Sequence, residues 1–223
     1  MRSSLAGLWG LSPAKAAALA RQCTVRHAKR GERIARRGAL LAGVHVVAAG
    51  TVKLALPASE GEQRVLRLVA NGEPFGEPTV LLGSPCLYDA YALTDVTVIV
   101  IPRTELLALF QRDRRFAGQL LLALAARSYA LLRELEAATT QRGAQRLAGY
   151  LESLPGRASA NGVHTVDLPV SKTIVAARLG MKKETLSRLL HQFTADGIIG
   201  VMRREIAILD RARLSAAARQ SPS

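Results

Sequence analysis

The stretch "LGMKKETLSRLLHQFTADGII", residues 179–199, joins two patterns in one helix-length segment. Its apolar side chains recur at spacings of three and four, which is typical of the core-facing stripe of an amphipathic helix. These side chains are Leu186, Leu189, Leu190 and Phe193. On the opening turns, Glu184, Ser187 and Arg188 stand at i, i+3 and i+4 and therefore share another face. That face suits either water or a partner bound through directed hydrogen bonds.

The segments on either side predict the setting of this helix. Before it, "PVSKTIVAARLG" indicates a helix with Ser171 as N-cap and Gly180 as its stop. A three-residue turn leads into the second helix, which ends at Gly197, and "IIGVMRREIAILD" indicates a two-stranded wing. Upstream, "RGAQRLAGYLESL" predicts a helix and "PGRASANGVHTVDL" a loop leading into a short strand. This order is that of a winged helix-turn-helix, whose second helix enters the major groove of DNA.

The polar residues at these positions have the chemistry that DNA requires. An arginine can donate two hydrogen bonds to guanine O6 and N7, and a glutamate can accept one from the cytosine amino group. Lysines suit the phosphates, and Ser171 suits either a phosphate or the cap of its own helix. The predicted DNA contacts are Ser171, Lys172, Lys182, Lys183, Glu184, Thr185, Ser187 and Arg188.

The charge balance indicates a polyanionic partner. The 223 residues carry 31 Lys and Arg against 17 Asp and Glu, a formal charge of +14, which favours nucleic acid or an anionic membrane. No run reaches the ~18 apolar residues of a membrane span, and Pro13 and Lys15 interrupt the mildly apolar start, so we expect neither a membrane protein nor a signal peptide. The only cysteines are Cys23 and Cys86, which makes a disulfide framework unexpected and favours a reducing, cytoplasmic compartment.

Residues 26–102 have a different sequence pattern. Short runs rich in Val, Ile and Thr alternate with Gly-containing breaks, which predicts an antiparallel sandwich or small barrel. The runs are "ERIARRG", "VHVVAAG", "TVKLALP", "QRVLRLVANG", "YDAYALTD" and "VTVIVIP". "ASEGEQ" indicates a hairpin tip, and Ser12-Pro13 marks a helix start within residues 4–22.

Two helices follow the β-rich part. Pro102 opens one through about Gln111, and residues 115–139 predict a second, long one. Along the long helix, small and apolar residues alternate at spacings of four and three, which is the seam of a coiled coil. The seam consists of Ala117, Leu121, Leu124, Ser128, Leu131, Leu135 and Ala138. Packing on the same chain's sheet is the alternative, but a helix this long exceeds what its own domain can cover, which favours dimerisation.

With these parts in place, the chain resembles the bacterial CRP/FNR superfamily of dimeric transcription regulators over nearly its whole length. The resemblance is carried by "GERIARRG" and "AAGTVKL" in the β-rich part, by "GEPFGE", by the long helix, and by "TLSRLLHQFTADGII" with its wing. It implies an α+β fold with an antiparallel, cyclic-nucleotide-binding-like β-roll sensor at 1–112, a dimerisation helix at 113–139 and a winged helix-turn-helix DNA-binding domain at 140–223. It also implies a homodimer, RNA polymerase as a partner, and no enzymatic activity.

Finer features of the resemblance concern the DNA site and the signal. Glu184, Ser187 and Arg188 match the FNR-type recognition helix, whose matching residues read TTGA-type half-sites, here suspected in a palindrome. The C-terminal part, from "LPVSKTIVAARLG" to "REIAILDRARL", further resembles the Dnr branch, which responds to nitric oxide. The resemblance therefore implies an effector, redox or gas signal, nitric oxide via haem among them, sensed in the β-roll and relayed through the dimer helix.

The resemblance also bears on which effector the β-roll holds. In cyclic-nucleotide-binding members, a short helix after Gly-Glu and an Arg-Ser/Thr-Ala triplet hold the phosphate. Gly76 and Glu77 are present here, but Tyr88, Asp89 and Ala90 stand where the triplet is expected. The arginine is missing and Asp89 adds a negative charge, which argues against cyclic AMP. Two cysteines cannot supply the four thiolates of an FNR-type iron–sulfur cluster, and the Cys and His of the carbon-monoxide-sensing branch are missing.

Haem by another route is left open. His27 and His45 lie in the sensor part and are candidate iron ligands, although a lone histidine is more often structural, whereas His164 and His191 fall in the DNA-binding part. Cys86 is a candidate axial thiolate or redox switch, with a buried inert thiol as the alternative. The candidate effector pocket comprises Gly76, Glu77, Cys86, Tyr88 and Asp89.

Two other functions are alternatives to an effector-dependent regulator. A regulator that needs no small molecule, with its activity set by abundance, is permitted by the missing arginine. A cupin-like metalloenzyme built on the β-roll would need a cluster of histidines with a carboxylate, and no His-x-His pair occurs in the chain.

Overall fold

The computed structural model describes residues 5–57, 63–140, 143–158 and 164–219, without the side chains of 137–140 and 158. The chain divides into two compact units, Met1–Tyr129 and Ala130–Ser223. The division falls inside the long helix, so the boundaries expected at residues 112 and 139 stay predictions. The expected hairpin tip "ASEGEQ" lies, except for Gln63, outside the described residues.

The first unit is a β-roll flanked by helices at its start and end. After a 3-10 turn at Leu8–Gly10, its elements are α1 (Pro13–Ala20), β1 (Thr24–Ala28), β2 (Arg33–Ala35), β3 (Gly43–Ala49), β4 (Val52–Pro57), β5 (Gln63–Val69), β6 (Pro74–Phe75), α2 (Glu77–Leu82), β7 (Asp89–Ala92), β8 (Val96–Pro102), α3 (Arg103–Arg112) and the first part of α4 (Arg114–Thr140). Helix α1 begins where the sequence predicts, because the Ser12 hydroxyl accepts a hydrogen bond from the Lys15 N–H at 3.4 Å and Pro13 takes the first turn.

Two four-stranded antiparallel sheets form the roll, in the orders β1-β8-β3-β6 and β2-β7-β4-β5. Strands β3 and β8 are buried on both faces. Val44 and Ile99 pack into a core shared with the helices, whereas Val47 and Val98 pack into the core between the sheets. Burial on both faces explains why "VHVV" and "VTVIVI" are nearly continuous apolar runs rather than alternating ones.

The helix-side core ties α1 to the beginning of the long helix. Trp9 and Phe116 meet edge to face, with ring centroids 5.6 Å apart, and Leu120 is fully buried beside them. Asp113 fixes the start of α4, since its carboxylate accepts hydrogen bonds from the N–H groups of Arg115 and Phe116 at 3.1 and 3.2 Å. The same carboxylate pairs with Lys15 of α1 at 2.5 Å.

Helix α4 runs for 27 residues, close to the predicted range. Past its buried first turns, it exposes the large apolar side chains Leu121, Leu122, Tyr129, Leu131, Leu132 and Leu135. Within the part of the chain that the structure describes, neither α4 nor another helix is long and apolar enough to cross a membrane.

The second unit packs helices of 7 to 13 residues against a small antiparallel sheet. Beyond the last turns of α4, its elements are α5 (Gly143–Ser153), β9 (Gly156–Ala158), β10 (His164–Asp167), α6 (Lys172–Arg178), α7 (Lys183–Ala195), β11 (Ile199–Met202), β12 (Glu205–Ile208) and α8 (Arg211–Arg219). The predicted wing, β11 and β12, belongs to a larger sheet of order β11-β12-β10-β9. Strand β9 was expected to be loop. It pairs with β10, and the His164 ring lies so close to Gly156 that a Cβ there would clash with it.

Candidate nucleic-acid interface and effector region

Helices α6 and α7 and the turn between them form a helix-turn-helix. Gly180 takes a left-handed φ of 63°, which glycine adopts without steric cost. This lets the chain turn so that the Met181 N–H donates to the Ala176 carbonyl at 3.0 Å. Arg146 of α5 holds the turn from outside, with its Nε donating to the Leu179 carbonyl at 3.0 Å. The turn, residues 179–182, is one residue longer than the predicted three.

The inward face of α7 is the predicted apolar stripe. Leu186, Leu190 and Phe193 are buried, and Leu189 is half-buried. Leu189 packs near Gly143 of α5, where an added Cβ would lie 3.4 Å from the Leu189 Cδ1. These contacts fix the rotation of α7 about its own axis, and with it the face that points outward.

The outward face of α7 presents the predicted reading residues to solvent. Glu184, Ser187 and Arg188 are exposed, and so are Lys182 and Lys183 at the start of the helix. Lys182 occupies the N-cap position, where its side chain makes no capping hydrogen bond to the described first turn. The first N–H groups of α7 are therefore not satisfied by a cap and suit an anion such as a phosphate.

The remaining predicted contacts lie at the start of α6 and on the flank of α7. Ser171 is exposed at the N-cap of α6, but its hydroxyl forms no capping bond within the described helix, which leaves it available for a phosphate. Lys172 and Thr185 are half-buried. The eight predicted residues thus come from the starts of two successive helices, and the three base-reading candidates share one face.

Sequence reasoning did not single out a basic residue at the tip of the wing. Met202 pairs with Glu205, so Arg203 and Arg204 form the tip between β11 and β12. Arg204 is anchored, because its Nε donates to the Leu168 carbonyl at 3.1 Å. Arg203 is exposed and has a left-handed φ of 57°, which is unfavourable for a residue with a side chain. The signal available in the sequence was the doublet "RR" between two β-rich runs.

The long helix shows a somewhat different apolar stripe from the predicted seam. Leu121, Ser128, Leu131 and Leu135 are exposed as the seam requires, but Leu124 is half-buried and packs on the helix-side core of its own unit. The side chain of Ala138 is outside the described set. One stripe with spacings of four and three that is exposed at every position and contains three leucines is Leu121, Ala125, Ser128, Leu132 and Leu135.

The candidate effector residues surround the N-terminus of α2 in the β-roll. Gly76 is the N-cap, with φ of 91°, and an added Cβ there would come within 2.9 Å of the Leu41 side chain. Burial raises the pKa of Glu77, although Arg67 and Arg127 oppose that rise. Tyr88 packs with Leu41 against the core between the sheets. Burial raises the pKa of its phenol, which a hydrogen bond with the Gly76 backbone partly offsets.

Asp89 is held in place by one backbone amide and one guanidinium. Its carboxylate accepts a hydrogen bond from the backbone N–H of Arg37 at 3.1 Å and lies 3.8 Å from the Arg33 guanidinium. The carboxylate therefore follows directly after Tyr88, where the arginine of the triplet was expected, and its charge is partly offset by Arg33.

Neither thiol lies in an environment that favours the reactive thiolate. The Cys86 thiol is buried and donates to the Tyr88 carbonyl at 3.3 Å, and burial raises its pKa. Burial also raises the pKa of Cys23 to about 11, and its thiol donates to the Leu19 carbonyl at 3.2 Å. A thiolate is the reactive form of cysteine, so these environments disfavour a redox switch or an axial thiolate at either residue.

The two candidate haem ligands have environments that do not fit haem. His45 is only 6% exposed, and its ring stacks on Phe75 with centroids 4.9 Å apart. His27 is exposed in a groove lined by charged side chains, with its Nδ1 3.1 Å from the Thr97 hydroxyl oxygen. A haem at His45 would have to displace packed side chains, and a haem at His27 would lie in a polar, solvated groove. Among the described residues, no group of three or more His, Cys, Asp or Glu could hold a metal ion.

A β-roll, a long helix and a winged helix-turn-helix with an exposed polar reading face define a DNA-binding transcription regulator. Residues 25–113 match the cyclic nucleotide-binding domain, and residues 145–217 match the Crp-like helix-turn-helix domain. The chain is 31% identical to the transcriptional regulatory protein btr of Bordetella pertussis over 76% of this chain and 71% of that protein. It therefore belongs to the CRP/FNR family of transcription regulators.

Further relatives agree with this assignment. The chain is 29% identical to the cyclic AMP receptor protein of Thermus thermophilus over 81% of this chain and 83% of that protein. A solved CRP/FNR-family transcriptional regulator of the same organism superposes with a TM-score of 0.68 at 25% identity, covering 89% of this chain and all of the other. These homologues are regulators rather than enzymes. They support the family as a whole and do not single out its Dnr branch.

Proposed function

We propose that this protein is a homodimeric regulator that reads a palindrome of TTGA-type half-sites with the outward face of α7. The observation that carries the proposal is the fixed rotation of α7. Because Leu186, Leu190 and Phe193 are buried, Glu184, Ser187 and Arg188 must face outward together. A carboxylate, a hydroxyl and a guanidinium on one helix face match the donors and acceptors of base edges in the major groove.

In this proposal the flanking residues bind the DNA backbone. Lys182, Lys183 and Ser171 lie at helix starts, where N–H groups and side chains suit phosphates. Lys172 and Thr185 complete the predicted contacts, and Arg203 at the wing tip is added to them. Phosphate contacts position the protein, whereas the three outward-facing residues of α7 select the sequence.

Pairing of two protomers through α4 would present two α7 helices to the DNA. The exposed stripe from Leu121 to Leu135 supports pairing, because apolar surface of this kind is stabilised when it is buried. Two half-sites about 34 Å apart, one turn of DNA, would then be read together. We further propose that the protein acts on cytoplasmic DNA and contacts RNA polymerase. Nitric oxide and the Dnr branch rest on the sequence motif alone, and the described histidines do not support haem.

Arginine 188 and lysine 183 test the division between base reading and backbone binding. We expect Arg188→Ala to weaken binding to the cognate palindrome by roughly 10- to 100-fold and to relax specificity at one base pair of each half-site. Lys183→Ala is expected to weaken binding to cognate and scrambled duplexes alike, with a salt dependence lower by about one phosphate per protomer. Fluorescence anisotropy against salt concentration measures both quantities.

The matched control for this pair is Arg21→Ala, which removes one positive charge from an exposed position of the first unit. It is expected to leave cognate affinity within about twofold. An equal loss on cognate and scrambled DNA for Arg188→Ala would contradict base reading. Failure of the wild-type protein to prefer a TTGA palindrome over scrambled DNA would contradict the proposed half-site.

Arginine 203 tests the contribution of the wing. Glycine accepts the left-handed backbone at this position, so Arg203→Gly should leave the unfolding free energy unchanged or raise it by up to about 1 kcal/mol. At the same time, DNA affinity should fall equally for all sequences, and the salt dependence should drop by about one phosphate. Urea unfolding and anisotropy on the same preparation separate the two effects. Unchanged affinity would remove Arg203 from the interface.

A further inference from the structure

Leu41 and Tyr88 both lie next to Gly76, at the position where the family resemblance places the phosphate of a cyclic nucleotide. We propose that Leu41 and Tyr88 are built-in occupants of this position, so that the regulator binds its DNA without a cyclic nucleotide. This inference rests on the proposed DNA-binding function and specifies how it is regulated.

The first observation concerns the N-terminus of α2, where backbone N–H groups would meet a phosphate. The Leu41 side chain packs against the residue that caps this helix, because a Cβ built on Gly76 would come within 2.9 Å of the Leu41 Cδ1. Leu41 is itself half-buried and packs against both cores of the first unit. The Tyr88 phenol makes a hydrogen bond with the Gly76 backbone at the same point. An apolar side chain and a phenol therefore lie beside the backbone that an anion would approach.

The second observation concerns the residue in place of the family's phosphate-binding arginine. Tyr88 folds inward and packs with Leu41 and Leu66 on the cluster that contains Phe75 and Ala90. The thiol of Cys86 donates a hydrogen bond to the Tyr88 carbonyl at 3.3 Å. The Cys86 carbonyl accepts a hydrogen bond from the Gly38 N–H at 2.7 Å, and the Cys86 N–H donates one to the Ala39 carbonyl at 2.8 Å. These bonds fix the segment that carries the phenol.

The third observation concerns charge. Three basic side chains near the site already interact with the chain's own acidic groups. Arg67 lies 3.5 Å from the Glu73 carboxylate, Arg33 lies 3.8 Å from Asp89, and the Arg127 charge acts on Glu77. Burial favours the neutral forms of Glu77 and Tyr88, since it raises the pKa of each. A phosphate would thus enter a site lined by a buried carboxyl group, a neutral phenol and an apolar side chain, where each nearby guanidinium already has an acidic neighbour.

Two probes test the inference on the full-length protein by thermal unfolding. We expect 1 mM cyclic AMP or cyclic GMP to leave the wild-type melting temperature unchanged and the anisotropy-measured DNA affinity within about twofold. A nucleotide bound with Kd one hundredth of its concentration would raise the melting temperature by roughly 5–10 °C. Such a rise, or a tenfold gain in DNA affinity, would overturn the proposal.

The second probe is p-cresol, which has the structure of the tyrosine side chain. Tyr88→Ala should lower the melting temperature by several degrees, and p-cresol should restore it saturably by filling the space left behind. The matched control is Tyr91→Ala. Tyr91 lies on β7, which begins directly after Tyr88. It is half-buried, with its ring centroid 5.3 Å from the Lys53 Nζ, and p-cresol should not rescue its loss. Lack of rescue in a folded Tyr88→Ala protein would overturn the claim that the phenol fills a defined position.

A second variant covers the case in which Tyr88→Ala does not fold. Tyr88→Phe keeps the ring and removes the hydroxyl, so it should fold, melt at a slightly lower temperature and stay insensitive to both nucleotides. A nucleotide response in Tyr88→Phe would count against a position closed by the ring. If neither the wild-type protein nor any variant prefers one DNA sequence over another, the proposed DNA-binding function is wrong. The melting temperatures measured with and without nucleotide still decide whether the nucleotide site is closed.

Discussion

Replacing His45 with phenylalanine should reduce the fall in unfolding free energy that the wild-type protein shows between pH 7.5 and pH 4.5. The expected difference between the two proteins is about 2.5 kcal/mol of unfolding free energy over that range. The reason lies in the surroundings of one imidazole. Burial lowers the pKa of His45 from its ordinary 6.5 to about 4, with the nearby Arg26 charge acting in the same direction.

The sign of this effect follows from proton uptake. In the unfolded chain, His45 binds a proton once the pH falls below about 6.5, whereas in the folded protein it stays neutral until about pH 4. Acid therefore favours the unfolded state between these two values, and stability is lost as the pH falls. Phenylalanine cannot bind a proton, and it can keep the stacking on Phe75.

The measurement is urea unfolding of both proteins at several pH values, followed by the fluorescence of Trp9. This is the only tryptophan of the chain, and it lies in the helix-side core of the same unit as His45. His27→Gln is the matched control, because His27 is exposed on β1 and should leave the pH slope in place. Parallel slopes for the wild-type and His45→Phe proteins would show that His45 titrates normally in the folded state.

Periodic patterns predicted the parts of this molecule that are set by local sequence. The spacing of Leu186, Leu190 and Phe193 predicts the orientation of α7, because three- and four-residue spacing needs only helix geometry. Ser12-Pro13 marked the start of α1 for a similarly local reason. The apolar runs of β3 and β8 predicted strands, although only the structure shows that each lies between two cores.

Features that depend on tertiary packing could not be predicted in the same way. Leu124 fits the heptad seam by spacing, but α4 begins on its own unit's core, and this contact turns Leu124 inward. Strand β9 is three residues long and forms only by pairing with β10, so "PGRA" carries no strand pattern of its own. The inward direction of Tyr88 and the cover of Gly76 by Leu41 depend on distant segments meeting, which no spacing rule reports.

The exposed stripe of α4 leads to the prediction with the largest effect on DNA binding. We expect the double variant Leu121→Glu, Leu132→Glu to be monomeric and to bind the palindrome 100- to 10,000-fold more weakly than the wild-type protein. The two leucines are 64% and 62% exposed in the single chain and lie three helical turns apart on one face. In a dimer, each introduced glutamate would lie buried close to the same glutamate of the partner protomer. Desolvation and repulsion between like charges strongly disfavour such an interface.

The size of the loss follows from the linkage of two half-site contacts. In a dimer, binding of the first α7 holds the second near its half-site at an effective concentration in the millimolar range, which multiplies the overall affinity. A monomer loses this factor but keeps its own reading residues. The variant should therefore bind a duplex with a single half-site within about threefold of the wild-type value measured per protomer.

Sedimentation velocity and anisotropy on palindromic and single-half-site duplexes measure the two halves of this prediction. The matched control is Leu82→Glu, which makes the same change at a leucine that is 76% exposed on α2 rather than on α4. It should leave both the dimer and palindrome binding in place. A double variant that still sediments as a dimer would place the interface elsewhere. A monomeric variant with undiminished affinity for the palindrome would show that dimerisation through α4 does not contribute to DNA binding.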